Sequence, residues 1–185
     1  MQKKFLEEVL QWRVFETAQI DPSQIMLEPV NEDDTQENDT TETDTTQLVA
    51  ALLELLSDAF GFYIKAHTAH WNVTGSDFEE YHALFGAIYE DVLDSLDDLA
   101  EDVRKLGSPV PLDVQSLVTP LMGAQATDPK TLATDLLAFN TALIEEIKDA
   151  FDIATAARSQ GIANFLAERQ DKHEKWQWQL SASLS

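Results

Sequence analysis

From Leu48 to Leu180 the apolar residues of this chain recur at steps of three and four, and nowhere do they alternate with polar ones over a strand's length. That period lays them along one stripe of an α-helix. The first stripe is Leu48, Leu52, Leu55, Leu56, Ala59, Tyr63 and Ala66. It predicts a helix over about 47–70, ended by Asn72, Thr74, Gly75 and Ser76. The second runs through Phe78, His82, Phe85, Ile88, Tyr89, Val92, Leu96, Leu99, Val103 and Leu106, with Asp77 placed to cap it and Gly107-Ser108-Pro109 to stop it. The third opens at Asp128-Pro129, an N-cap acid with proline at the first helical position. It carries Leu132, Leu136, Phe139, Leu143, Ile147, Ala150 and Ala154. Gly161 interrupts the pattern, and a fourth helix follows over about 162–181 through Phe165, Leu166, Trp176 and Leu180. A Pro- and Gly-rich connection joins the second helix to the third, with one short helical turn expected near 112–118. Four long amphipathic helices predict an all-α fold, a four-helix bundle.

The bundle does not begin at residue 1. Residues 31–46, NEDDTQENDTTETDTT, hold seven acids and six threonines, with no base and no apolar side chain. Nothing there offsets the entropy of ordering, so the segment reads as a disordered linker. It separates an N-terminal extension, 1–30, from the bundle, 47–185. In the extension Phe5, Leu6, Val9, Leu10, Trp12, Val14 and Phe15 form one face of a short helix that Asp21-Pro22 stops. A helix this short needs a surface to lie on. Either the bundle supplies it, or the extension is a docking peptide for a protein partner.

Composition removes several functions. The chain has no cysteine, which excludes a disulfide framework, a thiolate metal site and a cysteine nucleophile. Its formal charge is −22, against the Lys and Arg that binding a phosphate backbone requires. Apolar runs are broken by charge before the ~20 residues of a membrane span. Residues 1–8 lack the apolar run of a signal peptide, so a cytoplasmic protein is expected.

Three of the four histidines, His67, His70 and His82, fall within sixteen residues, and acids crowd the helix that follows. Mixed imidazole and carboxylate donors suit a hard or borderline cation such as iron. Glu79 and His82 form Glu-x-x-His, the ligand pair of intrachain di-iron bundles, but the fourth helix offers Gln170, not Glu, at the matching offset from His173. Asp97 and Glu101 share one helical face and flank Leu96 and Leu99, so at least one is expected to point inward. His82 and Asp97 lie fifteen residues apart on one helix, roughly 22 Å, too far for one ion. They meet at a metal only if two chains pair antiparallel along this helix.

Residues 65–85, KAHTAHWNVTGSDFEEYHALF, and 95–107, SLDDLAEDVRKLG, resemble the signature of the Dps family, and the likeness extends over about 48–182. The resemblance implies a ferritin-like bundle with a short helix between the second and third helices, assembled as a hollow dodecamer. It implies a mini-ferritin that oxidises Fe²⁺ with peroxide or dioxygen, stores Fe³⁺ and protects against oxidative damage. The implied ferroxidase site crosses a twofold dimer interface. His70 and His82 come from one subunit and Asp97 and Glu101 from its neighbour, as catalytic groups and iron ligands, with Trp71 alongside. The family pattern has an acid one turn after the second histidine, where this chain has Gly86. Family members that bind DNA do so with a Lys-rich tail; here that stretch is acidic, so direct DNA binding is not expected.

The extension together with residues 161–176, GIANFLAERQDKHEKW, also looks like divergent Dps-like sequences of tailed phages. Gly86 and the tethered extension motivate a different class of function: a structural or interaction module, such as a virion or assembly component, with an eroded metal site. Beside these readings, His67 is expected at the surface or behind the ligands. His173 is expected on a solvated face or in an interhelix hydrogen bond, and Trp71, Trp176 and Trp178 as core and interface anchors.

Overall fold

The computed structural model describes residues 34–111 and 126–185, with side chains from Asp44 onward. The chain divides into compact units Met1–Gln36 and Glu37–Ser185. Nearly all the described residues belong to the second. The helical face of the extension and the turn expected near 112–118 lie outside the described residues. Among those described, all regular structure is helical: α1 Asp34–Asn72, α2 Phe78–Lys105, α3 Pro129–Ala156 and α4 Gln160–Ser183.

The expected stripes supply the core. Leu48, Leu52, Leu55, Leu56, Ala59, Phe62, Ala66 and Ala69 of α1 are buried against Phe85, Ile88, Val92, Leu99 and Val103 of α2, Leu136, Leu143 and Ile147 of α3, and Leu166 and Leu180 of α4. Each large side chain taken out of water contributes about 1.5–3 kcal/mol. Phe62 takes the deep position on α1 and Tyr63 is half-buried, one residue off the expected stripe. The span Asp44–Asn72 is long and apolar enough, by length and composition, to cross a membrane. The broken-run criterion misses it because only Glu54 and Asp58 interrupt its apolar half. Its apolar stripe is occupied by the bundle core.

The helix ends follow local chemistry. Asp128 Oδ2 accepts from Thr131 N at 2.9 Å, the N-cap bond expected of Asp-Pro. That backbone bond, first among its causes, holds the Asp128 carboxyl below its ordinary value. Asp77 occupies the N-cap position of α2 without capping it; its Oδ1 accepts instead from Ser76 Oγ. At the other end, Gly107 adopts φ 84°. Its N–H donates to Arg104 O, and the Ser108 N–H to Val103 O, a paired closure that needs the left-handed residue glycine tolerates.

Two boundaries differ from expectation. α1 begins at Asp34 rather than near Gln47, so helix runs through the acidic stretch that composition marks as disordered. Once the docked part of α1 is formed, each further residue adds one hydrogen bond, and acids near a helix N-terminus are favoured by its dipole. The break between α3 and α4 falls at Ala157–Ser159, before Gly161, which lies in the first turn of α4. The left-handed conformation there is taken by Arg158, φ 56°.

Candidate metal centre

His70 lies in the last turn of α1 and His82 in the second turn of α2. The short link between the helices folds them face to face, with ring centroids 3.6 Å apart and planes inclined 21°. His70 Nδ1 donates to the His82 carbonyl at 2.8 Å, and His82 Nδ1 donates to the His70 carbonyl at 2.9 Å. A carbonyl oxygen only accepts, so both neutral rings carry hydrogen on Nδ1 and keep the lone pair on Nε2. Metal-binding imidazoles are commonly held this way, with the remote nitrogen fixed by a backbone oxygen.

Aromatic rings enclose the pair. His82 stacks on Phe78 at 4.7 Å, and His70 meets Tyr89 edge-on at 5.1 Å. His67 is half-buried, in contact with Tyr89 at 4.0 Å and Trp71 at 4.1 Å, and its Nδ1 pairs with the Tyr63 hydroxyl at 3.2 Å. Tyr89 Oη donates to Glu90. Desolvation, then the Glu90 charge, raise the Tyr89 hydroxyl above its ordinary value. Trp71 lies beside His67 with 65% of its surface open. Of the other two tryptophans assigned as anchors, Trp176 is buried and Trp178 is exposed.

Asp97 and Glu101 are both exposed on α2, so neither points inward. The turn of the helix explains this: Leu96, Leu99 and Val103 take the core face, and residues 97 and 101 fall outside it. Leu93, one turn before Asp97, is also exposed at 44%. The fold brings His70 and His82 together and leaves Asp97 and Glu101 toward the far end of α2. Among the described residues no three His, Asp or Glu side chains are close enough to hold a metal ion. Glu79 is exposed, and Gln170 donates to Glu174 rather than standing in as a ligand beside His173.

One feature escaped the sequence reading, and one expectation, the interhelix hydrogen bond of His173, is met. Gly86 is buried beneath His70: a Cβ built there would lie 3.3 Å from His70 Nδ1. The available signal was its cost, since a glycine inside a helix is destabilising unless packing requires it. The His173 bond belongs to a polar network in the core. His173 is 2% exposed, donates from Nδ1 to Asn140 Oδ1 at 2.7 Å, and accepts from Arg169 Nη2 on Nε2 at 3.3 Å. Burial and then the Arg169 charge press its pKa down to about 3, so it is a neutral interhelix link, not a residue of a solvated face. Arg169 also donates to Asp91 Oδ2 at 2.9 Å. Burial works to raise the Asp91 carboxyl, but the bond and charge of Arg169 outweigh it and hold it below its ordinary value. Elsewhere, Glu146 of α3 shares a hydrogen bond with Asp58 of α1, and burial followed by the Asp58 charge pushes its pKa up to about 7.

Comparison with known proteins agrees with this architecture. A family model described as a ferritin-like domain matches residues 49–185. The chain is 31% identical over 145 residues to a DNA protection during starvation protein of Brevibacillus brevis, covering 75% of this chain and 95% of that one. It is 28% identical to general stress protein 20U of Bacillus subtilis, covering 75% of this chain and 97% of that one. Among solved structures it is similar to a Dps protein from Bacillus brevis, with TM-score 0.72 and 25% identity over 77% of this chain and 98% of that one. It is similar also to Dps from Thermosynechococcus elongatus, with TM-score 0.73 and 25% identity over 79% of this chain and 95% of that one. Matched by the ferritin-like model over most of its length and by these relatives over nearly all of theirs, the chain belongs to the Dps family of ferritin-like proteins.

Proposed function

We propose that this chain is an iron-binding mini-ferritin that oxidises Fe²⁺ at a site shared between two subunits and stores Fe³⁺ inside a hollow oligomer, a dodecamer by family likeness. The observation that carries the reading is the reciprocal His70–His82 pair, which fixes both Nδ1 hydrogens and leaves both Nε2 lone pairs uncommitted among the described residues. Family membership supports the choice of iron as substrate. In this reading the neighbouring subunit supplies Asp97 and Glu101, which stand exposed on α2 beside Leu93. The two chains run antiparallel there, so that one end of α2 faces the other end of its partner.

The residues divide the work. His70 and His82 bind Fe²⁺ through Nε2, and the carboxylates offset the charge that grows as the ion becomes Fe³⁺. Each ion gives up one electron; a peroxide takes two electrons and two protons, its O–O bond breaks, and two waters leave. Fe³⁺ then nucleates on wall carboxylates, of which an acidic bundle has many: residues 47–185 hold 22 acids against nine bases. The imidazoles bind only when neutral, so the ion competes with protons for the two Nε2 lone pairs. Protection in this reading is chemical, in the cytoplasm, by removing Fe²⁺ and peroxide together. The name of the Brevibacillus relative speaks of DNA, but a charge of −22 opposes direct binding here.

The test is His70→Ala combined with His82→Ala, which is expected to abolish fast Fe²⁺ oxidation measured by ferric absorbance. Wild-type protein that oxidises Fe²⁺ with peroxide no faster than buffer would refute the catalytic reading. It would favour the second one, a structural or interaction module on the same fold, which the absence of an acid at position 86 and the N-terminal extension motivate.

A further inference from the structure

We infer that the interior of each subunit holds a second site with the donor chemistry of a divalent-cation centre, built from His173 and Asp91, and that the guanidinium of Arg169 is its resident cation. The inference rests on the core network alone and stands apart from the site between subunits.

The two donors come from different helices and meet on one nitrogen. Arg169 Nη2 donates to Asp91 Oδ2 at 2.9 Å and to His173 Nε2 at 3.3 Å. His173 follows Arg169 by one turn of α4, and Asp91 lies midway along α2. The imidazole is held as metal ligands are held. Its Nδ1–H is committed to Asn140 Oδ1 at 2.7 Å, so the lone pair sits on Nε2, on the side of the cation. Asn140 Nδ2 donates in turn to the His173 carbonyl at 2.8 Å, and only one orientation of the amide serves both bonds. Phe62 packs against the ring at 5.7 Å. His173 and Arg169 are both more than nine-tenths buried. Burial, and then the Arg169 charge, keep the imidazole neutral.

A plain Arg–Asp pair needs no imidazole. Here a neutral lone pair is turned toward the guanidinium and backed by an amide, and imidazole with carboxylate is a donor set for a borderline divalent cation. An ion bound at about 2.0–2.2 Å would draw the two donors inward by roughly 1 Å. Asp91 has room to follow, since its side chain is 21% exposed. Water from that open side would complete the shell. Two other donors reach Asp91: Trp176 Nε1 at 3.3 Å from Oδ2, and Lys172 Nζ at 3.6 Å from Oδ1. While Arg169 is in place an ion must displace a tethered charge, so divalent cations are kept out of the bundle. On the reading above, that leaves Fe²⁺ to the interface.

The experiment uses the full chain, ¹⁵N-labelled at histidine, with His70→Ala and His82→Ala to remove the interface imidazoles and Zn²⁺ as the probe. With Arg169 intact, solid-state ¹⁵N spectra are expected to show the His173 ring unmoved by Zn²⁺. Arg169→Ala is expected to bind one further Zn²⁺ per chain, to shift His173 Nε2 into the metal-bound range and to keep Nδ1–H. Adding His173→Phe should abolish that uptake. Adding Asp91→Asn should weaken it by more than about 10-fold, the loss found when only an orienting partner is removed. Millimolar methylguanidinium, which restores the missing group, should displace the ion and raise the thermal midpoint of Arg169→Ala. An ordinary ion pair would instead give a destabilised variant whose His173 ignores Zn²⁺, and that result overturns the inference. So does a His173 shift while Arg169 is intact. If Arg169→Ala does not fold unaided, recovery with Zn²⁺ and with methylguanidinium supports the site, and recovery with neither overturns it. The interface reading is tested separately, by the same titration with His70 and His82 intact, and its failure changes none of these outcomes.

Discussion

Glu146→Gln tests the electrostatics of the bundle most directly. Glu146 faces Asp58 and Glu54 of α1 and Asp149 of its own helix. Burial, then the Asp58 charge, raise its pKa from 4.5 to about 7. The native protein therefore holds a proton that the unfolded chain releases once the pH passes 4.5. The stability this contributes is complete below 4.5 and is lost as the pH climbs to about 7. At 1.36 kcal/mol per pH unit that interval amounts to about 3.4 kcal/mol. Solvent reaches part of this half-buried cluster, and screening there reduces the figure to about 1–2 kcal/mol. Glutamine keeps the size and the hydrogen bonding of the protonated acid and never ionises. The variant should match wild type within a few tenths of a kcal/mol at about pH 4.5 and exceed it by about 1–2 kcal/mol at about pH 8. Urea unfolding followed by circular dichroism at the two pH values measures both numbers. A variant no more stable than wild type at the higher pH, or one with the wild-type slope between them, would show that Glu146 is not held protonated by its neighbours.

Two further substitutions probe the frame of the bundle. Arg158→Gly should raise stability by about 1 kcal/mol, seen as a higher thermal midpoint, because residue 158 sits at φ 56° and pays a left-handed penalty that glycine does not. Asn140→Leu should cost about 1–3 kcal/mol in chemical denaturation, since it strips the buried His173 Nδ1–H of its acceptor and the His173 carbonyl of its donor.

What the sequence makes legible is whatever depends on period and local chemistry. The apolar stripes place the core, Asp128-Pro129 starts α3 with the bond expected, and Gly107 closes α2. Boundaries set by competition are less legible. The start of α1 balances the polar composition of its first turns against propagation from a docked helix, and composition alone weighs only one side. The turn before α4 uses an arginine where a glycine three residues later drew attention. At the site, spacing separates the histidines from Asp97 and Glu101 correctly along α2, but the side each carboxylate faces depends on helical phase, which the stripe of Leu96, Leu99 and Val103 determines. The packing of Gly86 is invisible in one dimension, because the ring above it comes from another helix.

The reciprocal bonds between His70 and His82 join residues only twelve apart. Contacts that local close early, since little loop entropy is lost in making them. The histidine half of the centre is thus set by the α1–α2 hairpin and available before the last helix docks. The carboxylate half, on the proposed reading, arrives only when a second chain does. On that reading the chain would carry its affinity for a cation from the first folding event and withhold the chemistry until assembly, so that a lone subunit would bind weakly and a paired one would react.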